Sequence, residues 1–143
     1  MDVKQISVFL ENKSGRLAEV TKILGENNID ISALSIADTT DFGILRLIVN
    51  DPDKAEKVLK ENGFTVSSTN VIAIGVEDKP GGLSKALEIL DAQSIGIEYM
   101  YAFVGKKSDE ALVLLRVENS SKAVEVLTKG GIQVLSSDKV YKL

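Results

Sequence analysis

The stretch Glu11-Asn12-Lys13-Ser14-Gly15-Arg16-Leu17 returns later in the chain as Glu77-Asp78-Lys79-Pro80-Gly81-Gly82-Leu83. Each copy follows an alternating apolar run and precedes a helix-period pattern, so each is a strand-to-helix turn with glycine at its tightest point. A turn of this kind presents backbone N–H groups at the positive end of a helix, which suits a small anion. Glycine lets that anion approach the backbone closely. The two turns are the candidate functional centres, and the rest of the chain is their scaffold.

What is missing narrows the chemistry further. The chain has no Cys and no His. Disulfides, thiolate nucleophiles, histidine acid–base catalysis and the usual zinc ligand sets are all excluded. An enzyme would have to work with carboxylates, Lys, Ser/Thr or Tyr alone, so the expectation is a non-catalytic protein with no metal and no cofactor. A hydrophobic share of 44% and a charged share of 27% describe an ordinary globular chain rather than a disordered one. The net charge of −4 argues against nucleic-acid and anionic-membrane partners. No apolar run approaches the roughly 18–20 residues of a membrane span. The N-terminus enters directly into Val3–Leu10 with no leader-like pattern, so a cytoplasmic location is expected.

The duplication extends well beyond the turns. Ile6–Ile31 aligned with Ile72–Ile97 gives nine identities in 26 columns, against roughly two expected from average composition. After a two-residue insertion, Leu47–Val66 against Leu115–Val134 gives eight in 20. The shared positions are largely apolar or glycine, where a fold constrains sequence. The expected domains are therefore residues 1–69 and 70–143, each too long for a typical solenoid repeat.

In the first unit Val3–Leu10 reads as a strand with Ile6, Val8 and Leu10 on one face. Ser14 is a plausible N-cap for a helix over about Gly15–Asn27, with Leu17, Val20, Ile23 and Leu24 as its apolar stripe. Ile29–Ala37 alternates as a second strand, Asp38-Thr39-Thr40-Asp41 turns, and Phe42–Asn50 is a third. Asp51-Pro52 supplies an N-cap and a first-turn proline for a second helix, Asn62-Gly63 stops it, and Phe64–Ser68 is a short fourth strand. The second unit repeats the order as strand 71–77, helix 80–93, strand 95–104, turn Gly105–Ser108, strand 110–118, helix 120–130 and strand 132–141. The predicted fold class is α+β: two tandem ferredoxin-like βαββαβ units, each an antiparallel four-stranded sheet with two helices on one face.

Such a sheet leaves its other face to be covered. That face is expected to carry Phe9, Leu34 or its neighbours, and Ile48, too much apolar surface to leave wet. Tyr99, Tyr101 and Phe103 line one side of a strand in the second unit. They could stack nucleobases, or cover a sheet-to-sheet or subunit contact. The acidic chain favours the second use.

A βαββαβ unit whose first turn reads Asn-x-x-Gly-x-Leu or Asp-x-Pro-Gly-x-Leu resembles an ACT domain, the amino-acid-sensing module attached to many biosynthetic enzymes. Asp78-Lys79-Pro80-Gly81-Gly82-Leu83 is the closer match; Asn12-Lys13-Ser14-Gly15-Arg16-Leu17 has Ser14 where proline is common, and otherwise resembles the serine-sensing turn of phosphoglycerate dehydrogenases. The resemblance covers essentially the whole chain, as a stand-alone ACT pair with no catalytic domain. It implies that a free amino acid binds between paired units, where the first turn of one meets the start of the second strand of another. One wall would be Asn12, Ser14, Gly15, Arg16 and Leu17, with Asp78, Pro80, Gly81, Gly82 and Leu83 as its counterpart. The other wall would be Asp30 and Ile31, with Gly96 and Ile97 as theirs. The pairing could be made within one chain or across a homodimer, the homodimer being expected, and a biosynthetic enzyme is a further candidate partner.

The chemistry fits a zwitterion. Backbone N–H groups near Gly15-Arg16 or Gly81-Gly82 suit its carboxylate, and Asn12, Asp78 or Asp30 can accept from its ammonium. Asp30 becomes Gly96 and Ser14 becomes Pro80 in the second copy, so two unequal sites are expected. The same residues also have plain structural uses: glycine to permit the turn, Ser14 as a cap, Asp30 as a strand start. Two other functions fit the fold. One is a regulatory subunit acting in trans on an amino-acid biosynthetic enzyme. The other is an acylphosphatase-like hydrolase using Arg16, although no multi-donor loop surrounds that residue.

Overall fold

The computed structural model describes residues 2–11, 13–38, 42–105 and 109–143. Asn12 and most of the two hairpin turns, Thr39–Asp41 and Lys106–Ser108, lie outside the described residues. Two compact units are present, one spanning Lys4–Thr69 and the other Asn70–Leu143 together with the first residues through Val3.

In the first unit, strand β1 (Val3–Glu11) leads into helix α1 (Arg16–Glu26) and the hairpin β2 (Ile31–Asp38) and β3 (Phe42–Val49). Helix α2 (Pro52–Glu61) and the start of β4 (Thr65–Glu77) complete it. The β1/β3 register pairs Phe9 with Ile44 and Glu11 with Phe42, both antiparallel, and β2 joins the other side of β3. Ile6, Val8 and Leu10 alternate onto the helix side, where they meet Val20, Ile23 and Leu24 of α1 and Leu59 of α2 in one core. That period-2 strand against period-3.6 helix is the pattern the sequence carried. Lys4 ties β1 to α2 through Asp53 and Glu56.

In the second unit the rest of β4 pairs with β6 (Glu110–Val117), and β5 (Ile97–Ala102) pairs with β6. Helices α3 (Gly82–Ala92) and α4 (Ser120–Lys129) pack their Ala86, Leu90, Ala123 and Leu127 onto Ile72, Ile74 and Leu115. Strand β7 (Gln133–Leu135) pairs with β4, giving the order β7-β4-β6-β5. Among the described residues no helix is long and apolar enough to cross a membrane.

Several expectations are corrected. Phe64–Ser68 and residues 71–77 are not two strands with a linker: Thr65–Glu77 is one strand of 13 residues. The last strand does not run to 141 but stops at Leu135. Ser136 then caps the short helix α5 (Ser137–Tyr141), its hydroxyl accepting from the Lys139 N–H, and Val140 is fully buried. The local cap outcompetes strand extension there. Ser14 is not a cap either. Gly15 stands at that position with φ +89° and no side-chain hydrogen bond, because the left-handed conformation of the turn selects glycine. By contrast Asp51 caps α2 as its sequence suggests, accepting from the Lys54 N–H.

The outer sheet face also departs from expectation. Phe9 is exposed there, but Ile48 is fully buried. Leu34 pairs with Leu47, on the helix side, and is exposed there along with Ile36. In the second unit Tyr99 and Tyr101 stack on each other, with ring centroids 6.5 Å apart, and Phe103 is buried.

Candidate functional site

The two turns share a frame. In the first, the Lys13 N–H donates to the Glu11 carbonyl at 2.7 Å; in the second, the Lys79 N–H donates to the Glu77 carbonyl at 2.9 Å. Gly15 and Gly81 take φ of +89° and +85° and sit at the N-termini of α1 and α3. In both copies the lysine reaches back to its own strand: Lys13 to Glu11 at 2.9 Å and Lys79 to Glu77 at 2.6 Å. These contacts hold both carboxyls below the ordinary value of 4.5, first by the lysine hydrogen bond and then by its charge; at Glu11 the Arg16 charge adds to this.

The next residue separates the copies. Gly82 is buried and has no room for a side chain, because the Glu77 carbonyl oxygen stands where a Cβ would be. Arg16, at the same place in the first turn, is accommodated by a looser closure: its N–H lies 3.4 Å from the Lys13 carbonyl, against 3.0 Å for Gly82 and Lys79. The Arg16 guanidinium is 3.9 Å from Glu11 and 3.3 Å from Glu19, and lies 5.8 Å from the centroid of the Phe64 ring.

Two clefts flank this arginine. One, of about 380 Å³, is lined by Leu10, Glu11, Lys13, Ser14, Arg16, Leu17, Ile36 and Gly43. The other, of about 130 Å³, lies against Phe9, Glu11, Arg16, Phe42 and Phe64. Leu17 is exposed and lines the first cleft rather than joining the core stripe, whereas its counterpart Leu83 packs against the second core. Beyond Leu83, a hollow follows the outer side of α3 past Ser84, Leu87, Glu88 and Asp91. Asp78 and Pro80 are exposed in the second turn.

Within one unit the register keeps the two expected walls apart. Glu11 pairs with Phe42, while Ile31 pairs with Val49 at the other end of β3. Seven residues of extended strand separate those ends, roughly 20 Å. In the second unit Glu77 pairs with Glu110 and Ile97 with Val117, again at opposite ends of β6. No unit by itself joins its own turn to its own Asp30-Ile31 or Gly96-Ile97.

The second walls are themselves unequal. The Asp30 N–H donates to Asn50 Oδ1 at 2.9 Å, and the Asn50 N–H donates back to the Asp30 carbonyl at 3.2 Å. At the matching place Glu118 folds over Gly96, its Oε1 2.5 Å from where a Cβ would be. Asp30 is exposed and Gly96 half-buried. Asn50 and Glu118 were not among the sequence candidates, although they are aligned columns of the repeat that differ. Phe42 and Phe64 were also missed as site residues, because only strand pairing and the α2–β4 turn bring them to Arg16.

The family model of the ACT domain pair matches residues 1–143, and this chain belongs to that family. The crystal structure of protein BT0572 from Bacteroides thetaiotaomicron is similar over 100% of this chain and 98% of that one, at 50% identity and a TM-score of 0.94. The regulatory subunit of aspartate kinase from Thermus thermophilus, in its ligand-free form, covers 91% of this chain and 93% of its own, at 17% identity and a TM-score of 0.63. The corresponding subunit from Thermus flavus gives 15% identity and a TM-score of 0.60, with 92% and 94% covered. At those identities the likeness to the two Thermus proteins is one of fold. No curated protein matches the sequence.

Proposed function

We propose that this chain is a non-catalytic regulatory protein that senses a free amino acid at the first turn of an ACT unit. The observation that carries this reading is the pairing of Arg16 with Glu11, opposite charges 3.9 Å apart at the mouth of clefts beside the turn. A zwitterion needs that charge arrangement: a donor for its carboxylate and an acceptor for its ammonium. Ser14, Gly15, Arg16 and Leu17 form one wall, and Asp30 and Ile31 of a paired unit form the other. A homodimer in the cytoplasm provides the pairing. The second turn, Asp78, Pro80, Gly81, Gly82 and Leu83, with Gly96 and Ile97, is the weaker site, since Gly82 cannot supply a guanidinium and Glu118 crowds Gly96. Ligand bridging two units favours one packing over another, and a partner reads the difference.

The test is a thermal-shift and calorimetric screen of the proteinogenic amino acids against the full chain. At least one is expected to raise the melting temperature, with the shift lost in Gly15→Val. No shift from any of them, and Gly15→Val and Gly81→Val behaving as wild type, would overturn the reading.

The likeness to aspartate kinase regulatory subunits favours a second reading, in which the chain regulates a biosynthetic enzyme in trans. The exposed Phe9 and Phe42 would then dock that enzyme. Affinity capture yielding a stoichiometric enzyme supports this; a clean homo-oligomer counts against it.

A further inference from the structure

The small cleft at Arg16 does not end at charged groups. It shares Phe9, Phe42 and Thr65 with an adjoining hollow of about 520 Å³ that Ile44 completes. Phe9 and Ile44 face each other directly across β1 and β3, and Phe42 is the next outer-face position along β3. Phe9 is 45% exposed and Phe42 is 52% exposed. Two exposed phenylalanines beside an isoleucine make a contiguous apolar surface, and such surfaces mark binding sites.

The second unit shows what this place looks like when it is not a pocket of that kind. The same register positions there are Gly75, Glu110, Leu112 and Gln133. Glu110 and Gln133 fill the space above Gly75. With its side-chain amide turned over, Gln133 donates to Glu110 and accepts from Lys139 of α5 at 3.0 Å. No arginine stands at the turn, because that position is Gly82. One unit therefore offers the Glu11–Arg16 pair continuous with an aromatic floor; the other lines its matching cleft, of about 260 Å³, with Glu110, Gln133 and Lys139 beside Leu112, Leu135 and Leu143.

We propose that the first-unit site selects amino acids with a large apolar side chain, held by Arg16 at the carboxylate, by Glu11 at the ammonium, and by Phe9, Phe42 and Ile44 along the side chain. This rests on the reading of the first turn as an amino-acid site and names its ligand class. A zwitterion with an apolar tail matches both halves of the surface: separated charges for the Glu11–Arg16 pair, and apolar area for the rings. Serine or aspartate would place a polar group against phenylalanine with no partner for it.

Isothermal titration of the full chain with L-phenylalanine and L-leucine, against L-alanine and L-serine, tests the assignment. The large apolar ligands are expected to bind about tenfold more tightly or better, as pocket contacts of this size allow. Ile44→Ala and Phe9→Ala should erase the preference for the large apolar ligands, and Arg16→Gln should weaken all four ligands. Phe42→Ala, at the first residue of β3, makes the same comparison if Phe9→Ala or Ile44→Ala fails to fold by circular dichroism. Serine or alanine binding as tightly as phenylalanine, and lost in Gly15→Val, would overturn the ligand class and leave the sensor reading standing. No binding by any amino acid would remove the sensor reading itself. A change of mass by light scattering in Phe9→Ala without ligand, joined to no heat from phenylalanine, would assign this face to contact between copies and overturn the proposal.

Discussion

The carbonyl oxygen of Glu77 occupies the space where a side chain on Gly82 would project. The glycine of the second turn is thus required by backbone packing, one residue after the glycine required by backbone conformation. In the first turn these two demands are separated: Gly15 keeps the left-handed conformation, and Arg16 replaces the tightly packed glycine. The chain gains a guanidinium at one turn by loosening it.

Gly82→Ala is accordingly expected to destabilise the protein by about 1–3 kcal/mol, the range for forcing atoms into a filled space. Arg16→Ala, on a half-buried side chain whose ion pairs face solvent and whose guanidinium lies over the Phe64 ring, should cost about 1 kcal/mol or less. Urea denaturation of the two variants side by side measures the order, and a reversed order would refute the packing argument.

Gly15→Ala and Gly81→Ala meet no neighbouring atoms, so their cost comes from the backbone alone. A left-handed alanine costs roughly 1–2 kcal/mol. Asn at either position should cost less than Ala, since asparagine tolerates that conformation better. Equal losses for Ala and Asn would point to a side-chain collision that the structure does not contain.

Gly96→Asp, which writes the first unit's residue into the second, should destabilise, because Glu118 already lies over that position. The loss combines crowding with like charge, on the order of 1–2 kcal/mol. Glu118→Asn, the first unit's partner residue, should relieve it. A double-mutant cycle reads the coupling directly; a coupling near zero would mean that Glu118 swings away freely.

Stability should fall in acid. Glu56 is held below its ordinary value of 4.5 chiefly by the Lys60 hydrogen bond and then by Lys4, with burial opposing. Glu11, Glu77 and Glu125 are lowered mainly by hydrogen bonds from Lys13, Lys79 and Lys129. A carboxyl depressed in the folded state adds stability above its unfolded pKa, and that contribution disappears as pH falls through the folded one. The loss should therefore begin near pH 4.5 and continue below it. Lys4 is shifted the other way, raised above 10.5 first by the Asp53 hydrogen bond, so its contribution persists until pH rises past that value. These pairs face solvent, so added salt should flatten both limbs. Melting temperature against pH for wild type and Glu56→Gln checks this, the variant being expected to lose less between pH 5 and 3, a window about the ordinary carboxylate pKa.

The duplication, the alternating strands, the amphipathic helices and the glycine turns were legible in the amino-acid sequence, because each is written in residues close together along the chain. Asp51 as a cap and Asn27 as a helix end likewise depend on hydrogen bonds to neighbours within a turn or so. Ser14 misled because a capping serine and a left-handed glycine are adjacent, and only the backbone angle says which one ends the turn.

Only the tertiary structure decided that β4 runs unbroken from Thr65 to Glu77, that a capped α5 replaces the end of the last strand, and that Ile48 is buried while Phe9 is not. It also decided how the two copies differ. Phe9, Phe42, Ile44 and Arg16 lie up to 35 residues apart, and their counterparts Gly75, Glu110, Leu112 and Gly82 are as widely spread. Strand pairing brings each set together, and a one-residue change of register would send every strand side chain to the opposite face. Local pattern therefore determined that there are two units with two turns. Long-range pairing determined that the first turn opens onto the Arg16–Glu11 pair beside the apolar floor of Phe9, Phe42 and Ile44.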